Sequence, residues 1–301
     1  VEAIVTLDRG PRIIRFGFVG GQNILQEYPE YEKKRGNPDW LEMLQRCPDF
    51  AKLVGNDEWL NFGGHRLWHA PEEMPRTYWP DNSPVELSCD EKNGACLLSQ
   101  EMELSTGILK EMLLQIKNDQ LTITHRLTNK NLWVVELAPW AISVMRGGGR
   151  LIVPQEPFKK HGADALLPVR TLALWSYTQM SDPRFSWGNR FIQLKQEAGG
   201  AKTKFGVLNR QGWCAYALGD DLLVKRHPFE ENATYPDQGC NFEAFTNATM
   251  LEIETMGSLT RIAPSAAVEH TETWALFKEK LGESEDAIAA CITPLLEKIQ
   301  P

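Results

Sequence analysis

The stretch Lys110–Thr128 reads KEMLLQIKNDQLTITHRLT. Two apolar runs, Lys110–Lys117 and Leu121–Thr128, flank Asn118-Asp119. Asn and Asp tolerate left-handed backbone, so this pair between two such runs predicts a β-hairpin. Strands joined that tightly are antiparallel, because parallel strands need a long crossover. The pattern recurs downstream. Trp213–Leu218 and Leu222–Arg226 flank Gly219-Asp220, and Met250–Thr255 and Ser258–Ile262 flank Met256-Gly257. Pro11–Val19, with Asn23–Gln26 returning, opens the series of extended segments. Asn131–Met145, Leu151–Val153, Leu172–Trp175, Phe191–Leu194 and Val268–Phe277 continue it. Strand upon strand with almost no helix between them predicts an all-β chain of two large antiparallel sheets packed face to face.

Helix is expected in two places. Asp39–Arg46 holds a short one. In the tail, Ser284 caps a helix with Glu285 and Asp286 in its first turn, and Thr293-Pro294 restarts a second, with Thr as N-cap and Pro at the first helical position. No repeat, low-complexity tract or linker divides the chain. Residues 1–301 are read as one domain, with a sandwich core over about 10–277 and a helical tail over about 284–300.

Composition narrows the function classes. The 301 residues are 24% charged and 42% hydrophobic, which is ordinary for a globular protein. A net charge of −8 argues against a nucleic-acid partner, which would call for a basic surface. No apolar run approaches membrane-spanning length and no signal-like segment opens the chain, so a cytoplasmic protein without a membrane partner is expected. The six cysteines (Cys47, Cys89, Cys96, Cys214, Cys240, Cys291) show no C-x-x-C spacing and read as mostly reduced core residues. No local His or Cys spacing suggests a transition-metal site, and no cofactor is expected.

One stretch resists any period. Asn61–Asn82 reads NFGGHRLWHAPEEMPRTYWPDN and holds two histidines, two arginines, two tryptophans and three prolines. Its prolines exclude a continuous helix or a central strand, so it is read as a long ordered loop lining a site.

Several phrases, in order, resemble the galactose-mutarotase-like superfamily, the aldose-1-epimerase type of β-supersandwich, in an uncharacterised branch of it. They are Phe62-Gly63-Gly64-His65-Arg66-Leu67-Trp68, Lys204-Phe205-Gly206 with Gly212-Trp213, and Tyr235-Pro236-Asp237. Cys240-Asn241-Phe242-Glu243, Leu251-Glu252-Ile253-Glu254 and Ala263-Pro264-Ser265 leading to Trp274 complete the series. The resemblance implies an antiparallel β-supersandwich and a free sugar as ligand. It also implies that Glu243, in Gly239-Cys240-Asn241-Phe242-Glu243, is a general base, and that Arg66, after Gly63-Gly64, binds sugar hydroxyls. Opening an aldose ring needs a base for the anomeric hydroxyl proton and an acid for the ring oxygen. Mutarotases carry histidines in an early leucine-histidine-glycine-glycine phrase and in the strand after the central hairpin. This chain has no such phrase, and it reads Leu137-Ala138-Pro139-Trp140 at the second place. His69 is then the candidate acid, provided its loop folds over Glu243.

The remaining candidates have two readings each. Trp68 and Trp79 can stack on a sugar or simply pack. Asp237 can bind a hydroxyl or shape a turn. Glu252 and Glu254 alternate with Leu251 and Ile253 and read as the wet face of a strand. His65, beside Arg66, turns to the opposite face if the segment is extended. The expectation is a mutarotase-like isomerase acting on a free sugar or sugar derivative. A non-catalytic saccharide-binding module or a structural sandwich domain is the alternative.

Overall fold

The computed structural model describes residues 1–30 and 35–299. The charged stretch Glu27–Pro38 and the end of the tail therefore lie partly outside the described residues. In chain order the first strands are β1 (Glu2–Val5), β2 (Arg12–Gly17), β3 (His65–Ala70), β4 (Glu86–Asp90), β5 (Ala95–Ser99), β6 (Ile108–Lys117) and β7 (Gln120–Asn129). Then come β8 (Val135–Met145), β9 (Arg150–Pro154), β10 (Leu172–Leu174), β11 (Phe185–Trp187) and β12 (Phe191–Lys195). The last third supplies β13 (Thr203–Val207), β14 (Trp213–Leu218), β15 (Asp221–Arg226), β16 (Phe242–Thr246), β17 (Leu251–Met256), β18 (Thr260–Ile262) and β19 (Ala267–Lys278). They form two antiparallel sheets. The first has the order β1-β2-β3-β8-β17-β16-β13-β10, with β18 against β8, and the second has β11-β12-β9-β14-β15-β19-β7-β6-β5-β4.

The Lys110–Thr128 hairpin forms as its turn chemistry dictates. Asn118 and Asp119 take φ 53° and 57°, and β6 pairs with β7 from Lys117↔Gln120 out to Ile108↔Asn129. Alternation then builds the core. Leu251, Ile253, Phe242, Ala244 and Phe205 turn inward from the first sheet onto Leu121, Ile123, Leu127, Leu223 and Trp274 of the second. The outer face of the second sheet (Ile152, Ala215, Leu222, Val224) is covered by Ile288, Ala289, Ile292 and Leu295 of the C-terminal helix Glu285–Leu296. On the first sheet's outer side, helices α1 (Pro38–Arg46) and α2 (Pro48–Val54) join Trp59 and Tyr78 to form a raised wall.

Five readings change. Asn61–Asn82 is not all loop, because β3 lies inside it and is buried along its length. Both faces of β3 carry polar residues, which hides the strand period. Gly63 and Gly64, at φ 79° and 69°, lead into it where a Cβ on either would lie 2.0 or 2.4 Å from the carbonyls of Gln26 and Ile13. Only glycine fits that approach. Met256-Gly257 does not close a hairpin, since β17 is already paired with β16 and β8 on its two sides; β18 pairs with the start of β8 instead. Asn23–Gln26 contributes one isolated bridge, Leu25↔Met145, rather than a strand. The tail is a single helix, Glu285–Leu296, that continues through Pro294 near its end. Lastly, Cys89 and Cys96 are register partners on β4 and β5 and form a disulfide, leaving Cys47, Cys214, Cys240 and Cys291 free. Their seven-residue separation gave no motif, and the pairing follows from a hairpin at the sheet's exposed end.

Candidate functional site

Side chains of neighbouring residues on a strand point to opposite faces. Along β3, Leu67 joins the core while Arg66 and Trp68 face outward. A single cross-strand row then runs Arg66, Ile142, Glu254, Glu243, Gly206 over β3, β8, β17, β16 and β13. Above this row lies a cavity of about 550 Å³. Trp40 of α1, with Trp59, Glu72, Tyr78, Trp175 and Tyr177, supplies its walls, so the Asn61–Asn82 segment forms much of one side.

Two ion-pair groups hold the floor. The Arg66 Nη2 donates to Glu252 Oε1 at 3.1 Å, and its guanidinium lies 4.8 Å from the Trp68 ring centre and 5.5 Å from that of Trp59. Arg66 is 3% exposed, and its Nε and Nη1 have no partner among the described residues. The Lys204 Nζ sits 2.7 Å from Glu243 Oε2 and 3.0 Å from Glu254 Oε2. It also lies 5.0 Å from the ring centre of Trp140 and 4.6 Å from that of Trp175. Trp140 Nε1 donates to Glu254 Oε2 at 3.0 Å. Lys204 and Glu254 line the cavity, whereas Glu243 is fully buried behind them. Its approach to Lys204 is close but off the hydrogen-bond line, for neither Glu243 oxygen receives an aligned bond.

The electrostatics follow from two carboxyls and one ammonium out of water. Burial pushes the Glu243 carboxyl well above the usual carboxylate range, against the pull of Lys204. Burial also raises Glu254, again opposed by Lys204. Burial alone would favour a neutral Lys204, yet Glu254 and Glu243 together hold its ammonium well above the ordinary value. The lysine therefore stays charged, and of the two carboxyls Glu243 is the one shifted further up. Space for Glu243 comes from Gly206, where a Cβ would stand 2.7 Å from Cys240 Sγ and 3.3 Å from Glu243 Cγ.

Other expected site residues are placed elsewhere. His69 shares the inward face of β3 with His65, and its Nε2 is 3.2 Å from Glu103 Oε2 in a fully buried cluster that includes Lys110. Burial lowers its pKa, against Glu103. Its position on the strand, not on a movable loop, separates it from the cavity. Trp79 packs edge-on against Phe50 and lines a smaller cavity beside Val54 and Asp81. Trp68 is at the main cavity, enclosed by Trp59, Tyr78 and Trp140. Asp237 occupies a tight turn, Pro236–Gly239, with φ 47°. Its charge adds to the upward shift of Glu243. Glu254 is not a wet-face residue, being 1% exposed on a central strand under a wall. Sequence reasoning missed Lys204 altogether, although Lys204-Phe205-Gly206 was among the phrases that carried the resemblance.

A second polar cluster lies between the sheets, brought together from several strands without any local spacing. His65, His125 and Glu272 place ligand-type atoms within 4.8 Å of one another. The hydrogen bonds there fix every tautomer. His125 Nδ1 donates to the His270 carbonyl at 2.9 Å, because a carbonyl only accepts. Its Nε2 therefore accepts from His65 Nε2, 2.6 Å away, and His65 Nδ1 accepts from Ser143 Oγ at 2.8 Å. Lys225 Nζ donates to that Oγ at 2.9 Å and pairs with Glu272 at 2.8 Å. Nitrogens 2.6 Å apart would meet one zinc ion at an angle far short of tetrahedral. Lys225 already balances Glu272, so the cluster fits a hydrogen-bond chain, not a zinc centre.

No protein-family model matches the sequence, and no curated protein sequence matches it. Solved structures do match. A galactose mutarotase-like protein from Lactobacillus casei aligns with a TM-score of 0.54 over 91% of this chain and 96% of its own, at 10% identity. A Synechocystis protein aligns with a TM-score of 0.53 over 92% of each chain, also at 10% identity. A TPR-domain containing protein from Parabacteroides distasonis reaches 0.54 over 93% of this chain and 46% of its own, at 13% identity. Likeness at such identities concerns the fold alone.

Proposed function

We propose that this chain, which has the galactose mutarotase-like fold, is a carbohydrate-active protein whose outer-face cavity takes a free sugar. Arg66 carries the reading. It is almost fully buried at the cavity wall, is fixed by Glu252 and two tryptophans, and has two guanidinium nitrogens without a partner among the described residues. A guanidinium at the cavity lining matches sugar hydroxyl oxygens, and Glu252 and Glu254, which line the same cavity, match hydroxyl hydrogens. The cavity volume falls in the range of small-molecule sites. In this reading Trp68 supports the guanidinium and Asp237 acts only through its field on Glu243. Calorimetry against a panel of free hexoses and pentoses tests it. Binding by at least one sugar is expected, and Arg66→Ala lowers its affinity about tenfold or more, a loss of ~1.4 kcal/mol or greater. Wild-type protein that binds no sugar in the panel refutes the proposal.

A ring-opening isomerase is the second reading, favoured by the buried Glu243–Lys204–Glu254 group at the cavity floor. One proton fewer than the group can hold gives it both an acid and a base. Saturation-transfer NMR between the anomers of the bound sugar measures it directly. Exchange faster than in buffer is expected for wild type and lost in the Glu243→Gln/Glu254→Gln double variant. Wild-type exchange equal to buffer leaves binding as the function.

A further inference from the structure

We propose that Lys204 is the proton donor of the ring-opening step and Glu254 its base, with Glu243 serving as the buried carboxyl that packs behind the lysine. The inference rests on the ring-opening reading and assigns its roles. Histidine, the usual acid for such chemistry, does not line the cavity. Lys204 does, and so does Glu254, while Glu243 is sealed behind both. A general acid or base must come within hydrogen-bond reach of the group it serves. Glu243 does not line the cavity, whereas Lys204 and Glu254 do, which puts them on the side a sugar would occupy.

The step balances without any other reactant. The Glu254 carboxylate takes the anomeric hydroxyl proton, and that O–H electron pair becomes the second bond of the C1 carbonyl. The bond from C1 to the ring oxygen breaks, and its pair stays on the oxygen, which takes a proton from the Lys204 ammonium. The open aldehyde rotates about its C1–C2 bond. The same transfers in reverse then close it to the other anomer. On closure the ring-oxygen proton goes back to Lys204 and Glu254 gives up the one it took, and the 3.0 Å hydrogen bond from Lys204 Nζ to Glu254 Oε2 is restored. Each turnover therefore ends with the group as it began.

The electrostatics favour moving both protons together. Glu254 is the foremost of the two carboxylates that hold up the ammonium's charge against burial. Once Glu254 is protonated that support is gone, and the lysine becomes a much stronger acid at the moment when the ring oxygen needs its proton. Trp140 and Trp175 flank the ammonium, and Trp140 Nε1 also fixes the Glu254 oxygen that faces it.

Two variants and two readouts test the assignment. Lys204→Arg keeps the cation between its carboxylates but cannot release a proton at working pH. Glu254→Gln keeps the shape and removes the base. For each, anomer exchange by saturation transfer at saturating sugar is expected to fall about 10²–10⁴-fold, whatever change in affinity calorimetry reports. Either variant exchanging at the wild-type rate overturns the inference. If the larger Arg does not fold or bind, Glu254→Gln decides alone. Wild-type protein without exchange above buffer would instead sink the ring-opening reading, so the two failures are distinct.

Discussion

Glu272 is fully buried, with Lys225 on one oxygen and Trp274 Nε1 at 2.8 Å on the other. Burial would raise its pKa, but Lys225 and the surrounding histidines drive it far below the usual range. Removing one partner of such a pair leaves an uncompensated charge in the core. Glu272→Ala is therefore expected to lower the unfolding free energy by about 3–5 kcal/mol in urea titration. Glu272→Leu combined with Lys225→Met should cost far less, since no charge is stranded. At this scale the sequence was legible where a phrase named a residue. Arg66 follows two glycines that only one backbone geometry explains, and it reached the cavity. Lys204 was illegible because its meaning comes from acids on two other strands, 39 and 50 positions away in sequence. His69 failed for the opposite reason. Its sequence neighbourhood suggested a site, but strand alternation turned it away.

At the scale of elements, β13 has one task that depends on a missing side chain. Gly206 leaves room for Cys240 and Glu243 on its outer face. Gly206→Ala overpacks that spot, and a loss of about 1–3 kcal/mol is expected. Adding Cys240→Ala removes the nearest clash and should recover most of the loss in the same thermal or urea experiment. Additive effects of the two changes would show that the crowding lies elsewhere. Hairpins with strong turn chemistry, such as β6–β7 and β14–β15, were readable from sequence because the turn residues and flanking runs agree. β3 was not, since its inward face carries His65 and His69 instead of apolar residues. β4 was also missed. Every residue in it is exposed, so no buried face marks its period.

Across the whole molecule, five buried histidines set the response to acid. Burial lowers the pKa of His65, His69, His125, His227 and His270, with His227 brought to about 4 and His270 to about 3. The unfolded chain then binds more protons than the folded one below about pH 6.5, so stability falls as pH drops through that window. Glu103 and Glu272 extend the loss below about pH 4.5, because Lys110 and Lys225 overcome burial and depress their folded pKa values, Glu103 to about 2. Glu243 and Glu254 act in the opposite direction: their raised pKa values add stability as pH falls toward 4.5. Two groups against seven leave a net loss. The urea midpoint is expected to fall steadily from pH 7 to pH 4, and a flat or rising midpoint would contradict it. The two-sheet architecture itself was legible, because periods of two and short turns admit few alternatives. Which outer face holds a cleft was not, since that depends on where α1 and the Trp59–Tyr78 wall come to rest.

The chain from Lys225 through Ser143, His65 and His125 to the His270 carbonyl has a further use. The ring N–H protons of His65 and His125 each have one defined acceptor, and both rings are fully buried. Protons so enclosed exchange slowly and resonate far downfield, giving the folded protein a private set of imidazole signals. His65 is the immediate backbone neighbour of Arg66, on the other side of the same strand. Occupancy of the cavity can thus be read from inside the sandwich, through a nucleus that no ligand touches.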